Sequence, residues 1–196
     1  NLQWPLLFIV AAAVFDFLDG FAARLFKSYS PLGKELDSLA DCVSFGFAPS
    51  AILLNIYETS GGEGPWGYLV FILAAFSALR LAKFNIDTRQ TTSFIGLPVP
   101  ANALFWLGIC FGSVTNGYLI LAGVVVFSYL LVSEIPMFSL KISGFGWREN
   151  KIRYCYFICL IISAGIWGKG ILIFIIPLYI LFSVVEALIK ITTSNR

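Results

Sequence analysis

The chain has 196 residues, of which 59% are hydrophobic and 12% are charged, and its formal net charge is +2. Soluble domains carry about 25% charged residues, so this composition excludes a soluble protein and predicts an integral membrane protein. The sequence contains no histidine, which excludes histidine-ligated metals and serine–histidine catalytic triads. No polar linker divides the chain, so we expect one domain over residues 1–196.

Seven apolar segments follow one another along the chain. Most approach the 17–25 residues that a bilayer-spanning helix needs, and helices satisfy their own backbone groups in lipid. The sequence therefore predicts an all-α, polytopic bundle with about seven transmembrane helices. The segments are A, about 3–26; B, about 36–57; C, about 66–84; D, about 98–114; E, about 117–133; F, about 154–168; and G, about 170–190.

The basic residues predict an orientation. Twelve of the thirteen Lys and Arg residues lie in the A–B, C–D and E–F connections and near the C-terminus. Because basic loops stay on the cytoplasmic side, these connections are expected to face the cytoplasm at the cell membrane. Residue 1 would then lie outside, and the sequence starts with Asn1 rather than Met. We expect a further helix upstream, which makes eight in the full-length protein.

Segment A places polar and small residues that could form a binding site on one helical face. Asp16, Asp19, Gly20, Ala23 and Arg24 are spaced i, i+3, i+4, i+7 and i+8, so they share that face. A carboxylate at membrane depth is costly and indicates function. The two small residues leave room for a ligand or a second helix to approach the backbone. Arginine, together with nearby lysines, suits phosphate groups.

Segment B adds a second pair of carboxylates, Asp37 and Asp41, at i and i+4. The sequence Ser30-Pro-Leu-Gly33 predicts a tight turn that makes A and B antiparallel neighbours. One aspartate near a helix end is usually a cap or a solvated group. Four at these offsets predict two facing pairs that converge on one or two divalent ions, since Mg²⁺, Mn²⁺ and Ca²⁺ prefer oxygen ligands.

The pattern D-x2-D-G-x2-A-R-x8-G-x3-D-x3-D, which runs from Asp16 to Asp41, resembles the signature of the CDP-alcohol phosphotransferase family at all eight fixed positions. The resemblance implies that an alcohol hydroxyl displaces CMP from a CDP-linked donor. It implies a divalent metal, Mg²⁺ or Mn²⁺ with Ca²⁺ as an alternative, with two ions expected, and Asp41 as general base. The implied metal ligands are Asp16, Asp19, Asp37 and Asp41, and the expected CDP and phosphate contacts are Gly20, Ala23, Arg24, Gly33, Lys34 and Ser44.

Three further blocks resemble the phosphatidylserine synthase branch of that family. They run over 41–49, 80–85 and 94–101, and the resemblance extends over about residues 3–140. It implies CDP-diacylglycerol and L-serine as substrates, a homodimer, and no nucleic-acid partner. The stretch 131–136 also resembles that branch, in which a basic residue commonly precedes the aromatic residue or proline near this place, whereas here Glu134 intervenes.

Alternatives stay open at several positions. Arg80 or Lys83 is expected to bind the serine carboxylate with Asn85 orienting it, although both cations also fit as snorkelling anchors. Ser44 borders the nucleotide or simply packs. The segment Gly96–Pro100 closes the site or only starts a helix. A sister enzyme that uses glycerol 3-phosphate or inositol phosphate is the alternative function, and a cation-coupled transporter is the distant one.

Overall fold

The computed structural model describes residues 3–28, 30–89, 94–111, 116–138, 147–167 and 171–194. In these ranges the chain is almost entirely helical, as predicted. The α-helices are α1 Gln3–Leu25, α2 Pro31–Asp41, α3 Ala48–Thr59, α4 Ile72–Ile86, α5 Val99–Phe111, α6 Gly117–Val132, α7 Trp147–Trp167 and α8 Ile171–Ser194. A π-helical segment, Cys42–Phe47, joins α2 to α3, and a 3₁₀ segment, Pro65–Phe71, leads into α4.

Each of the seven predicted apolar segments contains helix, and four helical stretches are long and apolar enough to cross a membrane. These are Trp4–Leu25, Pro31–Thr59, Pro65–Ile86 and Ile171–Ile189. Helices α5 and α6 are apolar but shorter. The helical membrane bundle predicted from composition is thereby confirmed for the part of the chain that the structure describes.

The connection between α1 and α2 differs from the prediction. Ser30 is the N-cap of α2, and its hydroxyl accepts a hydrogen bond from the Gly33 N–H at 2.9 Å. Pro31 occupies the first helical turn, where its missing N–H costs nothing. The stretch 30–33 is therefore a helix start rather than a turn, and segment B begins at 31 instead of about 36.

The chain reverses before Ser30, at the end of α1. Lys27 adopts a left-handed conformation with φ of 51°, and the Ser28 N–H donates to the Ala23 carbonyl oxygen at 3.1 Å. This arrangement is a Schellman motif with lysine where glycine is usual. The predicted antiparallel neighbours are thus produced by a helix C-cap followed directly by a helix N-cap.

The π-helical segment is a second feature that the apolar pattern did not predict. It begins immediately after Asp41 and ends before a helix whose second residue is Pro49. Proline lacks the N–H that an α-helical bond needs, and the buried Ser50 hydroxyl donates to the Gly46 carbonyl oxygen at 2.8 Å. Single π turns inside helices are frequent at functional sites.

The buried core lies mostly in the helices that follow α2, which itself has no buried residue. Helix α5 packs on α8 and α4 packs on α6, around fully buried side chains such as Leu73, Val124 and Leu131. Helix α1 differs, because most of its large apolar side chains are exposed, among them Phe8 and Phe15. This helix therefore presents an apolar surface suited to lipid while its far end carries Asp16 and Asp19.

A short antiparallel pair ties two of the connections together. Strand β1 Phe94–Ile95 pairs with strand β2 Pro136–Met137, with Phe94 opposite Met137. The Phe138 carbonyl oxygen accepts a hydrogen bond from the Tyr179 hydroxyl at 2.8 Å, which fastens this ladder to α8. The predicted closing loop at 96–100 is thus anchored by backbone pairing, and α5 starts at Val99, so the helix-start reading of this stretch is the one observed.

Candidate active site

The acidic residues of α1 and α2 meet at one place. Carboxylate oxygens of Asp16, Asp19 and Asp37 all lie within 4.8 Å of one another. The side chain of Asp41, one turn beyond Asp37, is close enough to that of Asp16 for the two carboxyl groups to interact. The structure therefore brings together all four aspartates, two from each helix, as the spacing predicted.

The donor set fits a hard divalent cation. Two carboxylates 4.8 Å apart repel by about 3.5 kcal/mol at an effective dielectric constant of about 20, and three such groups form three repelling pairs. A divalent ion relieves this repulsion, and carboxylate oxygens are the ligands that Mg²⁺, Mn²⁺ and Ca²⁺ prefer. Asp19 and Asp37 are exposed while Asp16 is half-buried, which leaves the cluster open to an incoming ion and its ligand.

A cavity of about 630 Å³, here called the polar cavity, opens beside these carboxylates between α1 and α2. Five of the six residues predicted to contact CDP border it, and only Ser44 does not. Two of the aspartates are also on its wall. The full lining is Asp19, Gly20, Ala23, Arg24, Ser28, Ser30, Gly33, Lys34, Leu36, Asp37 and Ala40.

The two motif glycines play different parts in this cavity. A Cβ atom added at Gly20 would meet nothing within 4 Å, so this position keeps the wall open. A Cβ atom at Gly33 would lie 3.0 Å from the Ser30 hydroxyl oxygen, which caps α2. Gly20 therefore provides room for a ligand, whereas Gly33 protects the local structure that places Lys34 and Asp37.

Sequence reasoning missed two hydroxyl groups of the polar cavity, those of Ser28 and Ser30. Both lie in the connection between the two aspartate-bearing helices, next to Arg24 and Lys34 in space. The sequence signal that could have identified them is their position in the basic connection between segments A and B, beside the helical face with the small residues. Hydroxyl donors in this position suit phosphate oxygens.

Ser44 lies outside the polar cavity. It lines a separate apolar groove of about 630 Å³ between α1 and the π-helical segment with α3, together with Phe8, Phe47 and Asn55. The structure thus separates Ser44 from the other five predicted contacts. The groove is predominantly hydrophobic and lies on the surface that α1 presents to lipid.

The residues predicted to bind serine lie at the end of α4. Arg80 is buried at 4% exposure, with its guanidinium carbon 5.2 Å from the centroid of the Phe84 ring, so a snorkelling role does not fit it. The Lys83 ammonium donates to the Val132 carbonyl oxygen at 3.3 Å and lies 3.8 Å from Glu134. Both line a third cavity, of about 280 Å³, rather than the polar cavity.

Asn85 connects this end of α4 to α2. Its side-chain amide nitrogen donates to the Ser38 hydroxyl at 2.9 Å, and its backbone carbonyl oxygen accepts from the Lys34 ammonium at 3.0 Å. Lys34 lines the polar cavity, so Asn85 sets the position of one of that cavity's cations. Asn85 thus acts on the site through Lys34 in this structure.

Comparisons with known proteins give one matching family and several relatives that share a name. The family model for CDP-alcohol phosphatidyltransferase matches residues 1–193. Relatives named "CDP-diacylglycerol--serine O-phosphatidyltransferase" are found in several organisms. The protein from Methanocaldococcus jannaschii is 40% identical over 128 residues, which cover 65% of this chain and 60% of that protein.

Two further relatives carry the same name. The Bacillus subtilis protein is 37% identical over 139 residues, which cover 69% of this chain and 75% of the relative. The Mycobacterium tuberculosis protein is 38% identical over 144 residues, which cover 66% of this chain and 49% of the relative. The chain thus spans between about half and three quarters of the length of these curated relatives.

Proposed function

The chain belongs to the CDP-alcohol phosphatidyltransferase family, and on that premise we propose that it transfers the phosphatidyl group of CDP-diacylglycerol to the hydroxyl of L-serine. The products are phosphatidylserine and CMP. The observation that carries the proposal is that four aspartates of α1 and α2 meet beside a cavity with two cationic side chains, Arg24 and Lys34, on its wall. The shared name of the relatives supports serine as the acceptor.

The donor is held in the polar cavity. Arg24 and Lys34 lie on its wall and complement the diphosphate, with arginine able to grip two oxygens at once. The open face at Gly20 and Ala23 lets the nucleotide approach the backbone of α1. The diacylglycerol chains stay in lipid, so the site opens sideways to the bilayer.

Asp16, Asp19 and Asp37 would hold the metal, with Asp41 at the edge of the cluster. A bound Mg²⁺ or Mn²⁺ supplies charge neutralisation at the pyrophosphate and polarises the phosphorus. Phosphoryl-type transfer depends mainly on such positioning and electrostatic stabilisation. Two helices that each contribute two carboxylates provide enough oxygen ligands for one ion or for a pair.

Asp41 serves as the general base. The serine hydroxyl oxygen forms a new bond to the phosphorus that carries the diacylglycerol, and its proton passes to the Asp41 carboxylate. The bond from that phosphorus to the bridging oxygen breaks, and the electron pair leaves with CMP. A base must lie within hydrogen-bonding reach of the proton that it removes, and Asp41 borders the carboxylate cluster through Asp16.

The acceptor is held at the end of α4, where Arg80 and Lys83 bind the serine carboxylate. Asn85 orients this end against α2 through Lys34 and Ser38. The active form is a homodimer in the cell membrane with the site at the cytoplasmic face. The clustering of basic residues in the A–B, C–D and E–F connections supports this orientation.

The experiment that tests this function uses purified protein with CDP-diacylglycerol, Mn²⁺ or Mg²⁺, and labelled L-serine. The expected result is lipid-soluble label formed in equal amount to released CMP. Serine-independent CMP release, or none with a folded and metal-supplied sample, would contradict it. Cation-driven uptake into liposomes without CMP release would instead identify a transporter.

Replacing Gly20 with leucine tests the polar cavity as the donor site. Because a Cβ atom at this position meets nothing within 4 Å, we expect a folded protein whose cavity is partly filled. The KM for CDP-diacylglycerol should rise about ten-fold, equivalent to about 1.4 kcal/mol, while the KM for serine changes little. Steady-state kinetics in mixed micelles would measure both.

Gly165→Leu is the matched control, since a Cβ atom at Gly165 also meets nothing within 4 Å and this glycine lies on α7. Equal effects of the two leucine variants would count against donor binding in the polar cavity. An unchanged KM for CDP-diacylglycerol in Gly20→Leu would do the same.

Replacing Arg80 with glutamine tests the acceptor site. Loss of a charged partner for a carboxylate should raise the KM for serine about 10- to 100-fold and leave the KM for CDP-diacylglycerol nearly unchanged. Lys151→Gln, an exposed cation on α7, is the control. A similar rise in both KM values would assign Arg80 a purely structural part.

A further inference from the structure

The cavity at the end of α4 carries charges of both signs, and we call it the charged cavity. It has a volume of about 280 Å³ and lies between α4 and the segment that follows α6. Three cations and two carboxylates are on its wall, namely Arg80, Lys83, Arg89, Asp87 and Glu134. Such a wall complements a small molecule that itself carries both charges.

We propose that Glu134 binds the ammonium group of the acceptor in the charged cavity and thereby selects an amino acid over an alcohol without an amine. This inference rests on the proposed function, in which Arg80 and Lys83 take the carboxylate of the same acceptor. The family resemblance did not suggest it, since Glu134 departs from the pattern of that branch.

The present partners of Glu134 can be exchanged at little cost. Its carboxylate lies 3.8 Å from the Lys83 ammonium and 3.5 Å from an Arg89 guanidinium nitrogen. The Glu134 side chain is 66% exposed, and exposed ion pairs contribute little to stability. The ammonium group of a ligand can replace these cations as the partner of Glu134, and the carboxylate of the same ligand can then bind Lys83.

The second carboxylate of the cavity is committed to a different partner. Asp87 accepts hydrogen bonds from the Arg89 side chain at 2.8–3.2 Å and from the Arg89 backbone N–H at 2.9 Å. Hydrogen bonding and charge from Asp87 raise the pKa of Arg89 above its ordinary value. Glu134, with its longer and weaker contacts, is therefore the carboxylate better placed to receive a ligand.

The backbone that carries Glu134 is held from both sides. The Gly96 N–H donates to the Ile135 carbonyl oxygen and the Leu97 N–H to the Leu130 carbonyl oxygen, both at 2.9 Å. Gly96 has a φ of 77°, and a Cβ atom there would lie 2.5 Å from the Leu131 carbonyl oxygen. This close pairing fixes the backbone on both sides of Glu134 at the edge of the charged cavity, which reduces the conformational freedom that binding must remove.

The charged cavity adjoins the donor side through Asn85. Lys83 and Ile86, which flank Asn85 in sequence, line the charged cavity, whereas Lys34, to which Asn85 is bonded, lines the polar cavity. Helix α4, whose end lines the charged cavity, is thus hydrogen-bonded to α2, the helix that carries Asp37 and Asp41. The contact between α2 and α4 joins the acceptor site to the carboxylate cluster.

The test compares wild type with Glu134→Gln on two acceptors, L-serine and 3-hydroxypropionate, which has the hydroxyl and carboxylate without the amine. A buried or oriented polar contact discriminates strongly against an analogue that lacks its partner. Because Glu134 is exposed, we expect the variant to raise the KM for serine about 3- to 5-fold. The kinetics with 3-hydroxypropionate and the KM for CDP-diacylglycerol should change less than about two-fold, so the preference for serine falls by the same 3- to 5-fold factor.

The outcomes separate this inference from the proposed function. An equal loss of activity with both acceptors would make Glu134 a structural ion-pair partner and would overturn the inference. An unchanged preference for serine would overturn it as well. In both cases serine transfer by wild type would leave the proposed function intact. Absence of serine transfer in wild type would overturn both. Glu63→Gln, in the connection between α3 and the 3₁₀ segment, is the control for loss of a surface carboxylate.

Discussion

Replacing Asp41 with asparagine is expected to lower kcat for CMP release about 10²- to 10⁴-fold, the range that general bases contribute. The amide keeps the shape of the side chain but cannot accept the serine proton. Donor binding does not depend on this proton transfer, so the KM for CDP-diacylglycerol should change little. Single-turnover CMP release measures the chemical step directly.

The control for Asp41→Asn is Glu58→Gln, which removes an exposed carboxylate at the far end of the same apolar segment. Retention of kcat within about two-fold of wild type in Asp41→Asn would exclude Asp41 as the base. Loss of metal affinity as large as that caused by a change at Asp37 would assign Asp41 to the ligands instead.

Replacing Asp37 with asparagine is expected to raise the metal concentration for half-maximal activity at least about 100-fold. Even residues that only support metal ligands cost about 10- to 100-fold in metal affinity when changed, and Asp37 belongs to the central group of three carboxylates. Wild type should lose activity with a chelator and regain it with Mg²⁺ or Mn²⁺. Titration of activity and of Mn²⁺ binding by electron paramagnetic resonance gives two independent readings.

Glu35→Gln is a closely matched control for Asp37→Asn, because Glu35 is an exposed carboxylate two residues away on α2 and lies outside the group of three. Its metal requirement should equal that of wild type. If both variants shift the metal requirement equally, the effect comes from the loss of a negative charge near the site and not from the loss of a metal ligand. If neither does, the carboxylate cluster is not the metal site.

The main lines of the fold and the grouping of residues around the polar cavity were predictable from sequence because they depend on local spacing. Helical periodicity places Asp16 and Asp19 on one face and Asp37 and Asp41 on another, and a short connection forces the two helices side by side. The same periodicity gathers Gly20 and Ala23 with the aspartates at one cavity. The predicted family is confirmed by the match over residues 1–193.

Features that depend on local backbone detail were not predictable from the apolar pattern. Lys27 takes a left-handed conformation that sequence preference assigns to glycine, so the reversal was placed at residues 30–33 instead. The π-helical segment after Asp41 rotates the following residues relative to an uninterrupted α-helix. That rotation is consistent with Ser44 facing the apolar groove instead of the polar cavity.

The charged cavity could not be predicted because its partners are distant in sequence. Lys83 contacts Val132 across 49 residues, and Arg89 reaches Glu134 across 45 residues. No helical or strand period relates these positions, and the pairing of β1 with β2 helps to bring the two connections together. A departure from the family pattern at Glu134 was visible in the sequence, but its spatial partners were not.

The central claim is that this chain uses serine as its acceptor, and a competition reaction tests it most directly. Purified protein would receive CDP-diacylglycerol and metal with equal concentrations of L-serine, glycerol 3-phosphate and inositol phosphate, and the lipid products would be quantified by mass spectrometry. We predict phosphatidylserine as the dominant product. Phosphatidylglycerol phosphate or phosphatidylinositol phosphate as the dominant product would contradict the account while leaving the family assignment intact.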